Sequence, residues 1–315
     1  MIRIGSRGSA LALWQSRHVR DRLREAQPEL DIDIEIIQTT GDKILDVPLA
    51  KIGDKGLFTK ELDRALLDGR VDFAVHSLKD VPTRIEPGLA LAAVSQRVDP
   101  SDALIVAPGV PQTFDALPAG ARVGTSSLRR RAQLLALRQD LSVLDLRGNV
   151  DTRLAQVAAG KYDAIILALA GITRLGFADR ASDILGGERW LPAVGQGALG
   201  IICRADDART RSMLAVLDDA ATHRATAAER AFLRELEGGC QVPIAALGSA
   251  QGDSVHLRGL VASLDGDQVL RGEQANSDPE AAGRALAHDL LERGAGRILA
   301  DVRAAMQQAP PPAAS

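Results

Sequence analysis

Short β-branched segments alternate with longer segments of helical period through most of this 315-residue chain. Residues 1–5, 31–37, 71–75 and 89–94 read as strands, and 9–26 and 57–67 as helices. Strand–helix–strand order implies an α/β fold with a largely parallel sheet. A second set follows, with strands near 103–107, 121–124, 142–146 and 163–167 and helices near 127–138 and 149–159. The two sets echo each other. Arg3-Ile-Gly-Ser-Arg-Gly-Ser9 opens the first, and Arg122-Val-Gly-Thr-Ser-Ser-Leu128 holds the matching place in the second. Gly69-Arg-Val-Asp-Phe-Ala-Val75 matches Gly160-Lys-Tyr-Asp-Ala-Ile-Ile166. Together these pairs imply two domains of related topology. The first set is the longer, and the loop Gly41–Phe58 in it reads as a lid or binding loop.

Residues 199–203 read as a strand returning to the first sheet. A helix over about 222–237 ends at Gly238-Gly239, a C-cap pattern. Segments 244–250, 254–262 and 267–273, separated by Gly/Asp turns, predict a small antiparallel sheet, followed by a helix over about 279–293. The expected division is therefore 1–95 plus about 196–217, then 96–195, then an α+β unit over 218–315 with a disordered tail from about 307. Two open α/β domains facing each other place a ligand in the cleft between them, at the carboxyl ends of the strands.

Residues with chemistry to offer fall at those ends. Arg129-Arg130-Arg131 follow a strand and a Ser126-Ser127 cap, so they sit in a helix's first turn, where the helix dipole disfavours cations. An anionic ligand that uses guanidinium and free N–H groups together explains the arrangement. Between Arg122 and Arg153 there are seven Arg, no Lys and three Asp, whereas the whole chain carries a net charge of −3. The basicity is local, which argues against a nucleic-acid coat, and aromatic residues make up only 3% of the chain, too few for a stacking surface. No apolar run reaches the ~20 residues of a membrane span. Met-Ile-Arg-Ile-Gly leads directly into a strand pattern without a signal-peptide segment, so a cytoplasmic protein is expected.

Other groups read two ways. His76-Ser77-Leu78-Lys79-Asp80 is either a set of acid–base groups at a strand end or a turn with an exposed ion pair. In it His76 reads as packed. Lys51-Ile-Gly-Asp-Lys55-Gly56-Leu-Phe58 is a loop whose lysines close over an anion, or a solvated loop. Cys240 is a lone thiol, usually a small buried hydrophobe. Gly195-Gln196-Gly197-Ala198 reads as a hinge between domains. Neither cysteine belongs to a metal pattern, and no metal or nucleotide is indicated.

Several segments in order resemble the porphobilinogen deaminase (hydroxymethylbilane synthase) family. They are Ser6-Arg7 with Leu11-Ala-Leu-Trp-Gln15, Thr40-Gly-Asp42, Lys55-Gly-Leu-Phe58, His76-Ser-Leu-Lys-Asp80-Val-Pro82, Gly124-Thr-Ser-Ser-Leu-Arg-Arg130, Leu146-Arg-Gly-Asn-Val150, Tyr162-Asp-Ala-Ile-Ile166, Val194-Gly-Gln-Gly197 and Glu237-Gly-Gly-Cys-Gln241. The resemblance runs from Ile4 to about Val261. It implies two periplasmic-binding-protein-like α/β domains and a small C-terminal α+β domain. It also implies a dipyrromethane cofactor, joined by a thioether to Cys240, onto which four porphobilinogen units are condensed with loss of ammonia before hydroxymethylbilane is released by hydrolysis.

Carried over by position, the resemblance makes Asp80 the catalytic carboxylate, with Lys79 beside it. Ser77, Lys79, Asp80, Ser127, Arg129, Arg130 and Arg147 would hold the cofactor. Arg7, Arg147, Arg153, Arg174 and Gln196 would hold substrate, and Lys51, Lys55 and Phe58 belong to the lid. Leu78 stands where many relatives have Met, and Ser95 where some have Cys. The enzyme is expected to be a monomer in haem-type tetrapyrrole synthesis, without a nucleic-acid or membrane partner. The competing class is a non-catalytic binding protein for a small anion, which predicts no adduct on Cys240 and no need for Asp80.

Overall fold

The two echoed segments fold alike. Arg3 N donates to Asp72 Oδ2 at 2.7 Å and its Nη2 to Gly69 O at 2.9 Å. Arg122 N donates to Asp163 Oδ2 at 2.7 Å and its Nη2 to Gly160 O at 2.9 Å. Each clasp closes a helix-to-strand return against the strand it enters beside. Gly5 and Gly124 occupy the same place in the two halves. A Cβ there would lie 2.9 Å from Leu62 Cδ2 or from Tyr162 Cδ1, so each site needs glycine for the packing of its neighbour.

These details come from a computed structural model, which describes residues 1–43, 59–236 and 242–308. The strands are β1 (Ile2–Ser6), β2 (Ile32–Ile36), β3 (Phe73–Ser77) and β4 (Leu89–Val94), then β5 (Asp102–Val106), β6 (Arg122–Gly124), β7 (Ser142–Leu144), β8 (Ala164–Ala168) and β9 (Asp183–Leu185). After them come β10 (Leu199–Arg204), β11 (Ile244–Gln251), β12 (Ser254–Ala262) and β13 (Val269–Asn276).

The first sheet has the order β2-β1-β3-β10-β4 and the second β7-β6-β8-β5-β9. The topologies correspond strand for strand. Gly5 pairs with Ala74 between β1 and β3, as Gly124 pairs with Ile165 between β6 and β8. Each sheet is mixed, not uniformly parallel: β10 runs against β3 and β4, and β5 against β8 and β9. The reversed strand in each case is the one entered from a crossover between the two halves. Among the described residues a third, antiparallel sheet has the order β11-β12-β13.

Short polar side chains start these helices, and the cap expected at Ser126-Ser127 falls on Ser127. Ser9 caps Ala10–Ala26, Ser127 caps Leu128–Leu137 and Asn149 caps Val150–Ala158. The first sheet is covered by Val19 and Leu23 on one face and by Leu62 and Leu66 on the other. The second lies between Leu134 and Leu154 in the same way. In the third unit, Phe232 from Ala220–Glu235 and Leu286 and Leu290 from Pro279–Glu292 pack on Leu257 and Val261.

A last helix, Ala295–Gln308, was not anticipated, and it takes in Gln307 and Gln308, expected to be disordered. Ala295, Ile298, Leu299 and Val302 recur at helical spacing and are buried, the first three against the third core, which stabilises the helix. The rest of the tail lies outside the described residues.

Both crossovers are tied to the third unit. Arg97 pairs with the fully buried Glu229. Glu229 also accepts from Gly195 N and Gly248 N, each at 2.7 Å. Three elements thus share one buried carboxylate, which leaves none of its oxygens without a donor.

Candidate active site

In the first half, β3 runs into a single 3-10 turn, Leu78–Asp80. Leu78 is buried and its N–H donates to Ala198 O at 3.0 Å, so the turn is anchored from below. Lys79 is then half-buried and Asp80 exposed at the mouth. Around them, Gln15 Nε2 donates to Ser77 Oγ at 2.7 Å and Ser16 Oγ to Ser6 Oγ at 2.9 Å. Arg7, half-buried, follows β1. His76 is buried and its Nε2 has no hydrogen-bond partner among the described residues. Burial, with Arg7 second, pushes its pKa down to about 4, so it is a neutral packed imidazole at physiological pH.

In the second half, Ser126 Oγ donates to Leu146 O at 2.7 Å and accepts from Leu146 N at 3.1 Å, tying the β6 turn to the end of β7. Arg129 and Arg130 begin the next helix, and both are buried. Their anion is partly supplied by the chain itself. Arg129 Nη1 lies 2.8 Å from Asp102 Oδ2, and Arg130 Nη2 lies 2.7 Å from Asp102 Oδ1. Trp190 Nε1 and Gln196 Nε2 also donate to Asp102, at 2.8 and 2.9 Å. Burial alone would raise the Asp102 carboxyl, but the two guanidiniums and their hydrogen bonds hold it well below the usual carboxylate range. Arg130 keeps one buried donor, Nε, without a partner among the described residues.

The other arginines gather nearby. Arg153 Nε donates to Gly148 O at 2.8 Å. Burial, then Arg130 and Arg147, push its pKa down to about 10. Arg147 is lowered too, by burial, with Asp145 opposing. Arg174 Nη2 donates to Gly197 O at 2.8 Å and its guanidinium lies 5.9 Å from the Trp14 ring centre, so it bridges the halves. Burial brings it to about 10 as well. Arg131 is exposed.

Lys79 joins the two halves. Its Nζ lies 3.4 Å from Gln196 Oε1. Burial pushes its pKa down to about 8; Asp80 and Asp102 oppose the shift, and Arg130 and Arg129 add to it. The structure therefore brings Lys79, Gln196, Arg129 and Arg130 into one network, and Arg130, Arg147 and Arg153 into a cationic group. Lys51, Lys55, Phe58 and Cys240 lie outside the described residues.

A family model described as porphobilinogen deaminase, dipyromethane cofactor binding domain, matches residues 2–212, and one for the C-terminal domain of porphobilinogen deaminase matches 223–292. The chain belongs to the porphobilinogen deaminase family. The porphobilinogen deaminase of Carboxydothermus hydrogenoformans is 51% identical over 95% of this chain and 96% of its own. That of Stenotrophomonas maltophilia strain K279a is 52% identical over 95% and 98%. Among solved structures, the periplasmic VFT2 domain of Bordetella pertussis BvgS aligns with a TM-score of 0.41 and 17% identity, covering 69% of this chain and 86% of that one.

Membership of the porphobilinogen deaminase family makes this chain a transferase of tetrapyrrole synthesis that uses dipyrromethane and condenses porphobilinogen. Sequence reasoning missed Asp102 and Trp190 in its site. The available signal was an acid at the start of the otherwise apolar strand Asp102-Ala-Leu-Ile-Val106. A charge in such a place needs a buried partner. Among the described residues no group of three or more His, Cys, Asp or Glu could hold a metal ion, and no helix is long and apolar enough to cross a membrane.

Proposed function

We propose that the reaction takes place between the first two sheets, with Asp80 and Lys79 as its catalytic residues and the arginines of the second half as carboxylate holders. The observation that carries this reading is the group Arg130, Arg147 and Arg153. The charges that face Arg153 are two further guanidiniums, which add to the larger effect of burial in lowering its pKa. Guanidiniums set side by side in a partly buried place favour an anionic ligand. Porphobilinogen and dipyrromethane carry acetate and propionate side chains, and the orphan Arg130 Nε offers one of them a buried donor. The residues present therefore fit the cofactor.

When bound, through Cys240, dipyrromethane supplies a primer whose terminal pyrrole carbon is the nucleophile. The protonated amino nitrogen of porphobilinogen leaves as ammonia with the C–N electron pair, the methylene carbon stays on the ring as the electrophile, and positive charge appears on the pyrrole N–H. Asp80, exposed at the mouth of its turn, accepts that N–H and stabilises the charge. Asp80 would also be the base that takes up the proton released by the condensation. Lys79 is protonated at neutral pH and holds a side-chain carboxylate beside Asp80. Ser77 and Ser127 are bound into their turns and flank the cofactor. Arg129, anchored by Asp102, fixes the helix start that presents Arg130. Arg7 and Arg174 hold incoming substrate.

Three units, 1–95 with about 196–217, 96–195 and 218–315, accord with the three sheets. The chain acts as a cytoplasmic monomer, a reading that light scattering at micromolar concentration tests. The test of mechanism is Asp80→Asn, weighed intact beside wild type and Cys240→Ser. It should keep the native melting temperature and the mass surplus of two pyrrole units, which Cys240→Ser lacks, while losing nearly all turnover. Near-normal turnover in Asp80→Asn would contradict the role given to the carboxylate.

A further inference from the structure

Gln196 is buried to 1% exposure and every polar atom of its amide is engaged by the chain itself. Its Nε2 donates to Pro100 O at 2.6 Å and to Asp102 Oδ1 at 2.9 Å, with Ser101 O at 3.4 Å sharing. Its Oε1 accepts from Lys79 Nζ at 3.4 Å. Three acceptors surround the nitrogen and one cation faces the oxygen, so the network itself fixes which way the amide points. The backbone is held equally firmly: Gln196 O accepts from Arg97 Nε at 2.8 Å. Gly195 and Gly197 on either side have φ of +73° and +95°, a region that favours glycine. A Cβ at Gly197 would lie 2.5 Å from Val98 O, so the two crossovers touch at this point.

We propose that Gln196 is a positioning residue, which holds Lys79 in register with the Asp102–Arg129–Arg130 anchor of the second half, and that it does not touch substrate. The proposal rests on the reading of Lys79 given above. An amide suits this place because it is the neutral group that donates to a carboxylate at one end and accepts from an ammonium at the other. Its partners belong to β5, to the outgoing crossover and to the turn after β3. Gln196 therefore sets the distance between the reacting turn and the carboxylate holders. Among the described residues the charged groups facing Lys79 are Asp80, Arg130, Asp102 and Arg129; all keep their charge when Gln196 is replaced, and Asp102, which loses one donor, keeps both guanidiniums and the Trp190 N–H.

The experiment compares wild type, Gln196→Met, Gln196→Glu, Lys79→Met and the double variant Lys79→Met/Gln196→Met as purified cofactor-loaded enzymes. Gln196→Met removes a neutral acceptor from the ammonium, so kcat should fall about tenfold with KM unchanged. The alkaline limb of its pH profile should move down by roughly half a unit. Gln196→Glu places a negative group opposite Lys79, so that limb should move up. Opposite displacements are a signature that a merely structural residue would not give, and either variant supplies one arm if the other fails to fold. In the Lys79→Met background, Gln196→Met should cost nothing further.

A raised KM with an unmoved limb, or the same loss of kcat with and without Lys79, would place Gln196 on the substrate and overturn the proposal. Wild-type kcat in Lys79→Met alone would instead remove the catalytic role of Lys79, and the positioning role with it.

Discussion

Arg130 and Asp102 face each other inside the protein, Nη2 to Oδ1 at 2.7 Å, with side-chain exposures of 8% and 0%. The arginine comes from a helix start and the aspartate from a strand start, and Arg129 closes on the other carboxylate oxygen. Removing one partner of such a set strands the others. Asp102→Ala should therefore destabilise the protein by about 3–5 kcal/mol, read by denaturant unfolding. The folded-state pKa of Asp102 is depressed, so its contribution is complete above the unfolded value of about 3.9 and declines as pH falls below it. Asp102→Asn should accordingly lose stability at neutral pH and show a shallower further decline between pH 4 and 2 than wild type. An unchanged melting temperature at pH 7 would contradict the anchor role.

Arg153→Met separates binding from stability. One carboxylate contact disappears, which at about 1.5–3 kcal/mol for a charged hydrogen bond amounts to a rise in KM of tenfold or more, or to stalling with a shorter chain on the enzyme. A guanidinium facing Arg130 and Arg147 disappears as well, so the cofactor-free protein should melt no lower than wild type. Steady-state kinetics and the ladder of intact masses check the first part, and calorimetry the second. A variant with lower stability and normal kinetics would remove Arg153 from the site.

His76 makes the native state sensitive to mild acid. Its pKa is brought down to about 4 from 6.5, and the unfolded chain binds a proton that the folded chain refuses. Stability from this group is complete above pH 6.5, declines as pH falls, and levels off near pH 4. The total is about 3 kcal/mol by linkage. His76→Leu should flatten the fall in melting temperature between pH 6.5 and 4. An equally steep fall in the variant would mean that other groups carry the acid sensitivity.

Much of the scaffold could be read before the structure because local signals agreed with the fold. The Ser126-Ser127 pair marked a helix start where a short polar side chain meets an apolar period, and Ser127 caps Leu128–Leu137. The echo of Arg3 to Asp72 in Arg122 to Asp163 told of two related halves, since each clasp closes one continuous strand–helix–strand–helix–strand run. The polar anchor was not legible. Asp102, Arg129 and the segment that carries Trp190 and Gln196 are far apart in the chain and meet only in the folded protein. The orientation of β10 was likewise hidden, because apolar runs such as Leu-Gly-Ile-Ile-Cys do not say which way they lie beside β3. The helix Ala295–Gln308 was missed because its buried stripe is narrow and its alanines carry little period of their own.

The strand order of the first sheet also fixes a sequence of events at the ribosome. In that sheet β4 has β10 as its neighbour, and β10 lies beyond the whole of the second sheet in the chain. When β1 to β4 have emerged, β4 still waits for its pairing strand, whereas β5 to β9 follow one another without interruption. The second half can therefore close first, as a contiguous unit, while the chain is still being made. The half that bears Asp80 is sealed only afterwards, and the segment that seals it passes through Gln196, which joins Lys79 to the finished half.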